Sequence, residues 1–228
     1  MQALHVALIV PASNTVMEPD FHRYADANWT ISTWRIFLET VTRDAEIRMM
    51  GEELAETLRR IQATAPDLVV FGCTSAGSIG GLAHDRELTE RIERETGATG
   101  VTVVGSMMRQ LTSVRPETVA VFTPYRDELT RSVADCIAEA GYDVVTAKGM
   151  EIGDNREIGR VTPQEITDFV RSNMKGIEAH CIFLSCTNWR AIEAIGPLEQ
   201  DLGRPVISSN QVTLESTRLV GNEVVPLP

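Results

Sequence analysis

Several features are missing from this 228-residue chain, and each absence narrows what it does. No apolar run approaches the roughly 20 residues needed to cross a bilayer. No basic region precedes the short apolar stretch at the start, which runs straight into Pro11. A secretory leader is therefore not expected, and the cytoplasm is the expected compartment. Lys and Arg number 21 against 32 Asp and Glu, a formal charge of −11, and the basic residues form no cluster. Phosphate-backbone binding rests on such clusters, so neither nucleic acid nor a membrane is an expected partner. A small anionic ligand stays open, because local dipoles decide that case. No Gly-x-Gly-x-x-Gly follows a strand and no Gly-x-x-x-x-Gly-Lys occurs, so nicotinamide, flavin and nucleotide readings lose their main support. The Gly-x-Ser-x-Gly elbow of a Ser-His-Asp hydrolase is absent too. Four cysteines are present without a Cys-x-x-Cys pair, and no His-Glu-x-x-His occurs, so no metal is expected. In a reducing compartment those cysteines serve chemistry or packing rather than a disulfide framework.

What is present is an alternation. His5-Val-Ala-Leu-Ile-Val10, Leu68-Val-Val-Phe71, Val101-Thr-Val-Val104, Thr118-Val-Ala-Val-Phe122, Cys181-Ile-Phe-Leu184 and Pro205-Val-Ile207 are short apolar runs rich in β-branched residues. Such runs mark strands covered on both faces, as in parallel sheets. Amphipathic stretches lie between them. Over 45–63 the apolar residues Ile47, Met50, Leu54, Leu58 and Ile61 predict one helix with one inward stripe. Leu129, Val133, Cys136, Ile137 and Ala140 predict another, stopped by Gly141, and Thr162-Pro163 with Glu165 predicts a capped helix start. The class is α/β.

The chain also repeats itself. Pro11 and Pro124 close similar strands, Cys73 and Cys186 follow similar strands, and both pairs are 113 residues apart. Two landmarks with one offset predict two homologous halves joined near 107–117. We expect a first half of 1–106 plus 208–228, carrying Cys73, and a second half of 107–207, carrying Cys186. Val103-Val104 would correspond to Val206-Ile207 at the shorter offset of 103, and the tail after Asn210 would pack back on the first half without a counterpart of its own.

Each half sets a cysteine directly after a strand, then Thr, then Ser75 or Asn188. Ligands of open α/β sheets gather at the carboxyl ends of strands. A following helix N-terminus there favours an anion and depresses a thiol's pKa. Cys73 and Cys186 are thus expected to be thiolates or close to it, with Cys136 and Cys181 serving the core. After the first strand, Ser13 and Asn14 can cap a helix, or the Asn14 amide can hold a substrate carboxylate. Tyr125 sits in the matching turn of the second half. Asn155 lies in a polar loop. His84 is expected in a solvent-facing loop, and Arg190 is either a carboxylate partner or a surface residue.

The segments Pro11-Ala-Ser-Asn14-Thr-Val-Met-Glu18, Gly72-Cys73-Thr74-Ser75, Thr123-Pro-Tyr125-Arg-Asp-Glu128, Leu184-Ser-Cys186-Thr-Asn-Trp-Arg190 and Pro205-Val-Ile-Ser-Ser-Asn210-Gln211 follow one another in order. Together they resemble the maleate cis–trans isomerases of the aspartate/glutamate racemase superfamily, over nearly the whole chain. Ala12 stands where Ser is common in that family. The resemblance implies two pseudo-symmetric parallel-sheet α/β halves with the active site in the cleft between them, and no cofactor. It places the nucleophile on Cys73 and the second catalytic cysteine on Cys186, with substrate binding by Asn14, Thr74, Ser75, Tyr125, Asn155 and Thr187. The implied reaction is isomerisation of maleate to fumarate by reversible thiolate addition. The expected assembly is a homo-oligomer, a dimer or tetramer. Two other readings stand beside it: a cofactor-independent two-cysteine racemase of the Asp/Glu or hydantoin type, and a dicarboxylate binder without turnover. The resemblance extends to the related decarboxylases, which keep only the second cysteine, whereas this chain has both Cys73 and Cys186.

Overall fold

A computed structural model describes residues 3–224. The first half contains β1 (Leu4–Pro11), α1 (Met17–Tyr24), β2 (Trp29–Ile36), α2 (Arg43–Arg48), a π-helical turn (Met49–Glu53), α3 (Leu54–Gln62), β3 (Leu68–Phe71), α4 (Thr74–Ser78), α5 (Gly81–Thr96), β4 (Thr99–Thr102) and α6 (Val103–Val114). The second contains β5 (Thr118–Thr123), α7 (Asp127–Glu139), β6 (Asp143–Gly149), α8 (Asn155–Ile158), α9 (Pro163–Asn173), β7 (Cys181–Leu184), α10 (Ile192–Leu202), β8 (Val206–Ser208) and α11 (Ser209–Val224). The strands form two parallel four-stranded sheets, β2-β1-β3-β4 and β6-β5-β7-β8. Matching strand for strand, the two orders are the same, so the repeat read from the prolines and cysteines is a repeat of topology. All four cysteines are free. No described helix is long and apolar enough to cross a membrane.

The interior strands form where the apolar runs predict them. The edge strands β2 and β6 do not announce themselves, since apart from Ile36 their residues are exposed or half-buried. One edge strand moves. The expected strand Val101–Val104 is instead β4 (Thr99–Thr102), and Val103 and Val104 form the first turn of α6. The reason is local: Thr102 Oγ1 accepts from Gly105 N at 3.0 Å and starts a helix inside a β-branched run. Consequently Val103-Val104 do not match Val206-Ile207. Phe71 pairs with Thr102 and Leu184 with Ser208, an offset of 106 rather than 103.

That correction gives the chain's tail a counterpart. Helix α6 leaves β4 as α11 leaves β8, and the two pack on opposite halves. Val104, Met107 and Leu111 of α6 are buried in the core of the second sheet. Leu214 and Val220 of α11 are buried in the core of the first. Each buried side chain of this size contributes about 1.5–3 kcal/mol, so the exchange of helices ties the halves together. The expected division at 106/107 falls inside α6.

The stretch 45–63 departs from expectation in a way that matters for the site. It is not one regular helix but α2, the π-helical turn and α3, with Gly51 at φ −81°, ψ −111°. A π-helical turn holds one more residue than an α-helical turn. Downstream, Leu54, Leu58 and Ile61 face inward as predicted. Upstream, the inward face slips by one position: Met49, Glu46 and Ala45 are buried, whereas Ile47 is 50% exposed. The start of α9 is as expected. Thr162 Oγ1 accepts from Glu165 N at 3.2 Å, Glu165 Oε2 accepts from Thr162 N at 2.8 Å, and Pro163 opens the helix.

Candidate active site

The two thiols reach the same place by the same route. Gly72 N donates to Ile9 O at 2.8 Å, and 113 residues on, Ser185 N donates to Phe122 O at 2.8 Å. These bonds carry the chain off β3 and β7 to Cys73 and Cys186. Position 72 must be glycine, since a Cβ there would lie 2.4 Å from Met17 Sδ and 2.8 Å from the carbonyl oxygen of Ile9. Cys73 is 5% and Cys186 4% exposed, and the charge of Cys186 raises the Cys73 pKa.

Their surroundings differ. Cys73 caps the short helix α4, with Sγ 3.7 Å from Ser75 Oγ. Cys186 is followed by a turn, and α10 begins only at Ile192. The Tyr125 hydroxyl hydrogen-bonds to Cys186, and Asn188 N donates to Cys186 Sγ at 3.3 Å. Neither thiol is the ready thiolate expected from its strand-end position. Burial pushes Cys186 up to about 12 and Cys73 higher, with Glu46 adding to both. Desolvation outweighs what α4's single turn and a few N–H groups return. Burial also lifts the Tyr125 hydroxyl well above its usual range, so it stays a proton donor.

Asn14 joins the halves. Its Oδ1 accepts from Val16 N and Met17 N, both at 3.0 Å, and so holds the start of α1. Its Nδ2 donates to Thr187 Oγ1 at 3.1 Å, and Thr187 Oγ1 donates to Gly72 O at 3.0 Å. One chain of bonds therefore links the turn after β1, the loop after Cys186 and the residue before Cys73. Asn155 opens α8, donates from Nδ2 to Ser13 Oγ at 2.8 Å and accepts at its carbonyl from Asn188 Nδ2 at 2.6 Å. Asn188 Oδ1 accepts in turn from Thr15 N at 2.8 Å. Thr74 Oγ1 bonds to Ser209 Oγ at 2.9 Å at the first residue of α11. Asn210 Nδ2 donates to Thr187 O at 3.1 Å and to Asp20 Oδ2 at 2.8 Å.

Beside this cluster lies a cavity of about 670 Å³ whose lining includes Ser13, Leu38, Arg126 and Asn155. Neither thiol is among its lining residues. Arg190 is a surface residue, bound to Glu193 at 2.9 Å. His84 is half-buried on α5 rather than in a solvent-facing loop, because α5 starts at Gly81. Cys136 and Cys181 are core residues. Among the described residues, no group of three or more His, Cys, Asp and Glu is placed to share a metal ion.

Two residues at the site escaped the sequence reading. Arg126, next to Tyr125, lines the cavity. Glu46 is 0% exposed; Ser75 Oγ donates to its Oε1 at 2.5 Å, and its Oε2 has no partner among the described residues. Burial, with Glu128 adding to it, raises the Glu46 carboxyl to about 8.

The family model described as arylmalonate decarboxylase matches residues 6–225. The chain belongs to the arylmalonate decarboxylase family. Within reach of that family, the chain is 25% identical over 223 residues to the maleate isomerase of Geobacillus stearothermophilus, covering 92% of this chain and 88% of the relative. The maleate isomerase of Pseudomonas putida S16, solved with maleate, has a TM-score of 0.88 at 24% identity and covers 96% of this chain and 92% of its own. A mutant maleate cis–trans isomerase of Nocardia farcinica, solved with a covalently bound succinylcysteine intermediate, has a TM-score of 0.87 at 19% identity and covers 99% and 94%. This arylmalonate decarboxylase family member therefore has the α/β fold of those enzymes over essentially its whole length.

Proposed function

We propose that the protein is a cofactor-independent isomerase that converts maleate to fumarate through a cysteine adduct. The observation that carries this reading is the matched pair of buried thiols, one at the end of each sheet, joined through Asn14, Thr187 and Gly72. The maleate isomerases among its relatives and the succinylcysteine in one of them agree with it. The family's decarboxylase name does not argue against it, since the resemblance drawn above leaves decarboxylases with the second cysteine alone, and this chain has both.

A cis alkene cannot rotate while its π bond is intact. Addition of the Cys73 thiolate to one alkene carbon removes the π bond and moves charge onto the adjacent carboxylate as an enolate. Rotation about the new single bond and expulsion of sulfur give the trans product. Donors fixed in a water-poor site stabilise the enolate. The second amide hydrogen of Asn14, the Tyr125 hydroxyl and the backbone N–H groups after each cysteine are the donors we assign to the two carboxylates, with Thr74, Ser75, Asn155 and Thr187 holding the walls. Cys186, with its proton kept on by burial, can protonate the neighbouring carbon and take the proton back.

Purified protein mixed with maleate should produce fumarate, seen by proton NMR, and Cys73→Ser should stop it. Two thiols at one cleft also suit two-base racemisation. Turnover of an amino acid in heavy water with label entering the α-carbon, and no fumarate from maleate, would favour that reading.

A further inference from the structure

Thiolate addition requires that the Cys73 proton go somewhere, and no cationic side chain is among the groups acting on that thiol. A chain of donors points elsewhere. Ser75 Oγ lies 3.7 Å from Cys73 Sγ and 2.5 Å from Glu46 Oε1. The Ser75 hydroxyl has one proton, and it is given to Glu46. Its lone pairs are then free to accept from the thiol, so the order of donation runs from Cys73 to Ser75 to Glu46. We propose that Glu46, acting through Ser75, takes the proton of Cys73 and so positions it as the nucleophile.

The step balances. The Cys73 S–H bond breaks and its proton bonds to Ser75 Oγ. The Ser75 O–H bond breaks in the same event, and that proton bonds to Glu46 Oε1. The electron pair stays on sulfur, so one carboxylate charge becomes one thiolate charge. Expulsion of sulfur from the product returns the proton along the same path.

Burial makes this carboxyl suited to the task. An ordinary glutamate is far too weak a base for a thiol, whereas one held up to about 8 is a closer match. The groups facing it are Ser75, the thiols of Cys73 and Cys186, the Tyr125 hydroxyl and Glu128; Arg43, on the same helix, donates to Ile79 O at 3.0 Å. None places a positive charge on the carboxyl. Below about 8 it carries its own proton and cannot accept another; above, it can. The π-helical turn is what brings it here, by slipping the face of α2 one position inward.

The relay rests on the proposed thiolate addition for its purpose, but its test needs no maleate. Iodoacetamide is neutral and has fewer heavy atoms than maleate, so a site that admits the substrate admits it. Alkylation of Cys73, located by peptide mass, is followed from about pH 6 to 10. In the parent protein the rate should rise through about 8. Glu46→Gln and Ser75→Ala should each slow it by roughly tenfold or more near pH 9 and move the rise to higher pH. Through-space electrostatics alone demands the opposite. Ionised Glu46 raises the Cys73 pKa, so losing its charge would speed the reaction. Cys186 in the same digests should react unchanged or faster. A Glu46→Gln protein whose Cys73 alkylates as fast as the parent's overturns the relay, as does a parent Cys73 inert across the whole range. If Glu46→Gln does not fold, the pH profile of Ser75→Ala decides. Losing the Ser75 hydrogen bond slows the reaction in either case, but only the relay makes the rise through about 8 disappear. A Ser75→Ala profile that keeps that rise overturns it. A parent protein that alkylates as expected yet leaves maleate untouched keeps the relay and loses the substrate.

Discussion

Glu46 should leave a signature in stability that is separate from any reaction. In the unfolded chain its carboxyl titrates at the ordinary value of 4.5; in the folded protein it titrates at about 8. Between those values the native state keeps a proton that the unfolded chain has released. A group with a raised native pKa favours folding while protonated, and that contribution is lost as pH rises through the native value. The loss runs at about 1.4 kcal/mol per pH unit, so across the window it amounts to about 5 kcal/mol. Because many domains hold only 5–15 kcal/mol in total, the effect is large enough to measure. Gln at position 46 keeps the shape and an acceptor for Ser75 but does not titrate. Urea unfolding followed by circular dichroism at pH 5, 6, 7, 8 and 9 would give both curves. Relative to the parent, Glu46→Gln should gain stability steadily from about pH 5 to 8 and then hold that gain. Asp85, lifted by burial to about 6, gives the parent a slope of the same sign at lower pH. Asp85 is present in both proteins, so the difference between the curves isolates Glu46. Parallel curves would refute the reasoning, because they would mean that Glu46 finds water or a cation in solution.

Three further changes follow from the geometry. Cys73→Ser should keep the circular dichroism of the parent and abolish fumarate formation, and a succinyl-type adduct in the parent should map by mass to the peptide holding Cys73; an adduct confined to the Cys186 peptide would exchange their roles. Tyr125→Phe, which removes the hydroxyl bonded to Cys186, should cut kcat/KM for maleate by roughly 10- to 1000-fold in steady-state assays with the fold intact. Gly72→Ala would press its Cβ to 2.8 Å from the Ile9 carbonyl oxygen, which cannot swing aside as a side chain can. It should cost about 1–3 kcal/mol in unfolding experiments.

Much of the fold was legible because parallel sheets bury their central strands on both faces. β1, β3, β5 and β7 are continuous apolar runs, and their 113-residue repeat carried the topology before any strand had been placed beside another. The edge strands β2 and β6 were not legible. Half-exposed β2, with Thr30, Ser32 and Arg35 among its residues, reads like a polar connection. At the end of β4 the composition pointed the wrong way. Val103 and Val104 look like strand residues, yet they begin a helix that the Thr102 hydroxyl caps, and their side chains are buried by packing rather than by pairing.

Glu46 stayed hidden for a related reason. A stripe at helical spacing is a count of residues per turn, and the count is valid only while the turn keeps its size. Leu54, Leu58 and Ile61 set the phase correctly for α3. Carried back through a regular helix, that phase puts Met50 and Ile47 inside and Glu46 on the flank. The π-helical turn adds one residue, so Met49 and Glu46 take the inner positions and Ile47 is turned outward. Gly51, in the middle of the stretch, was the one residue there with a conformation unlike its neighbours'. A hydrophobic pattern can register such a slip only as an isoleucine wasted on solvent and a glutamate wasted in the core. Each residue alone looks like noise. Together, one position apart and on the same side of a glycine, they mark where the helix changes pitch, and a change of pitch that buries a carboxyl beside the proposed nucleophile is a feature that packing alone gives no reason to keep.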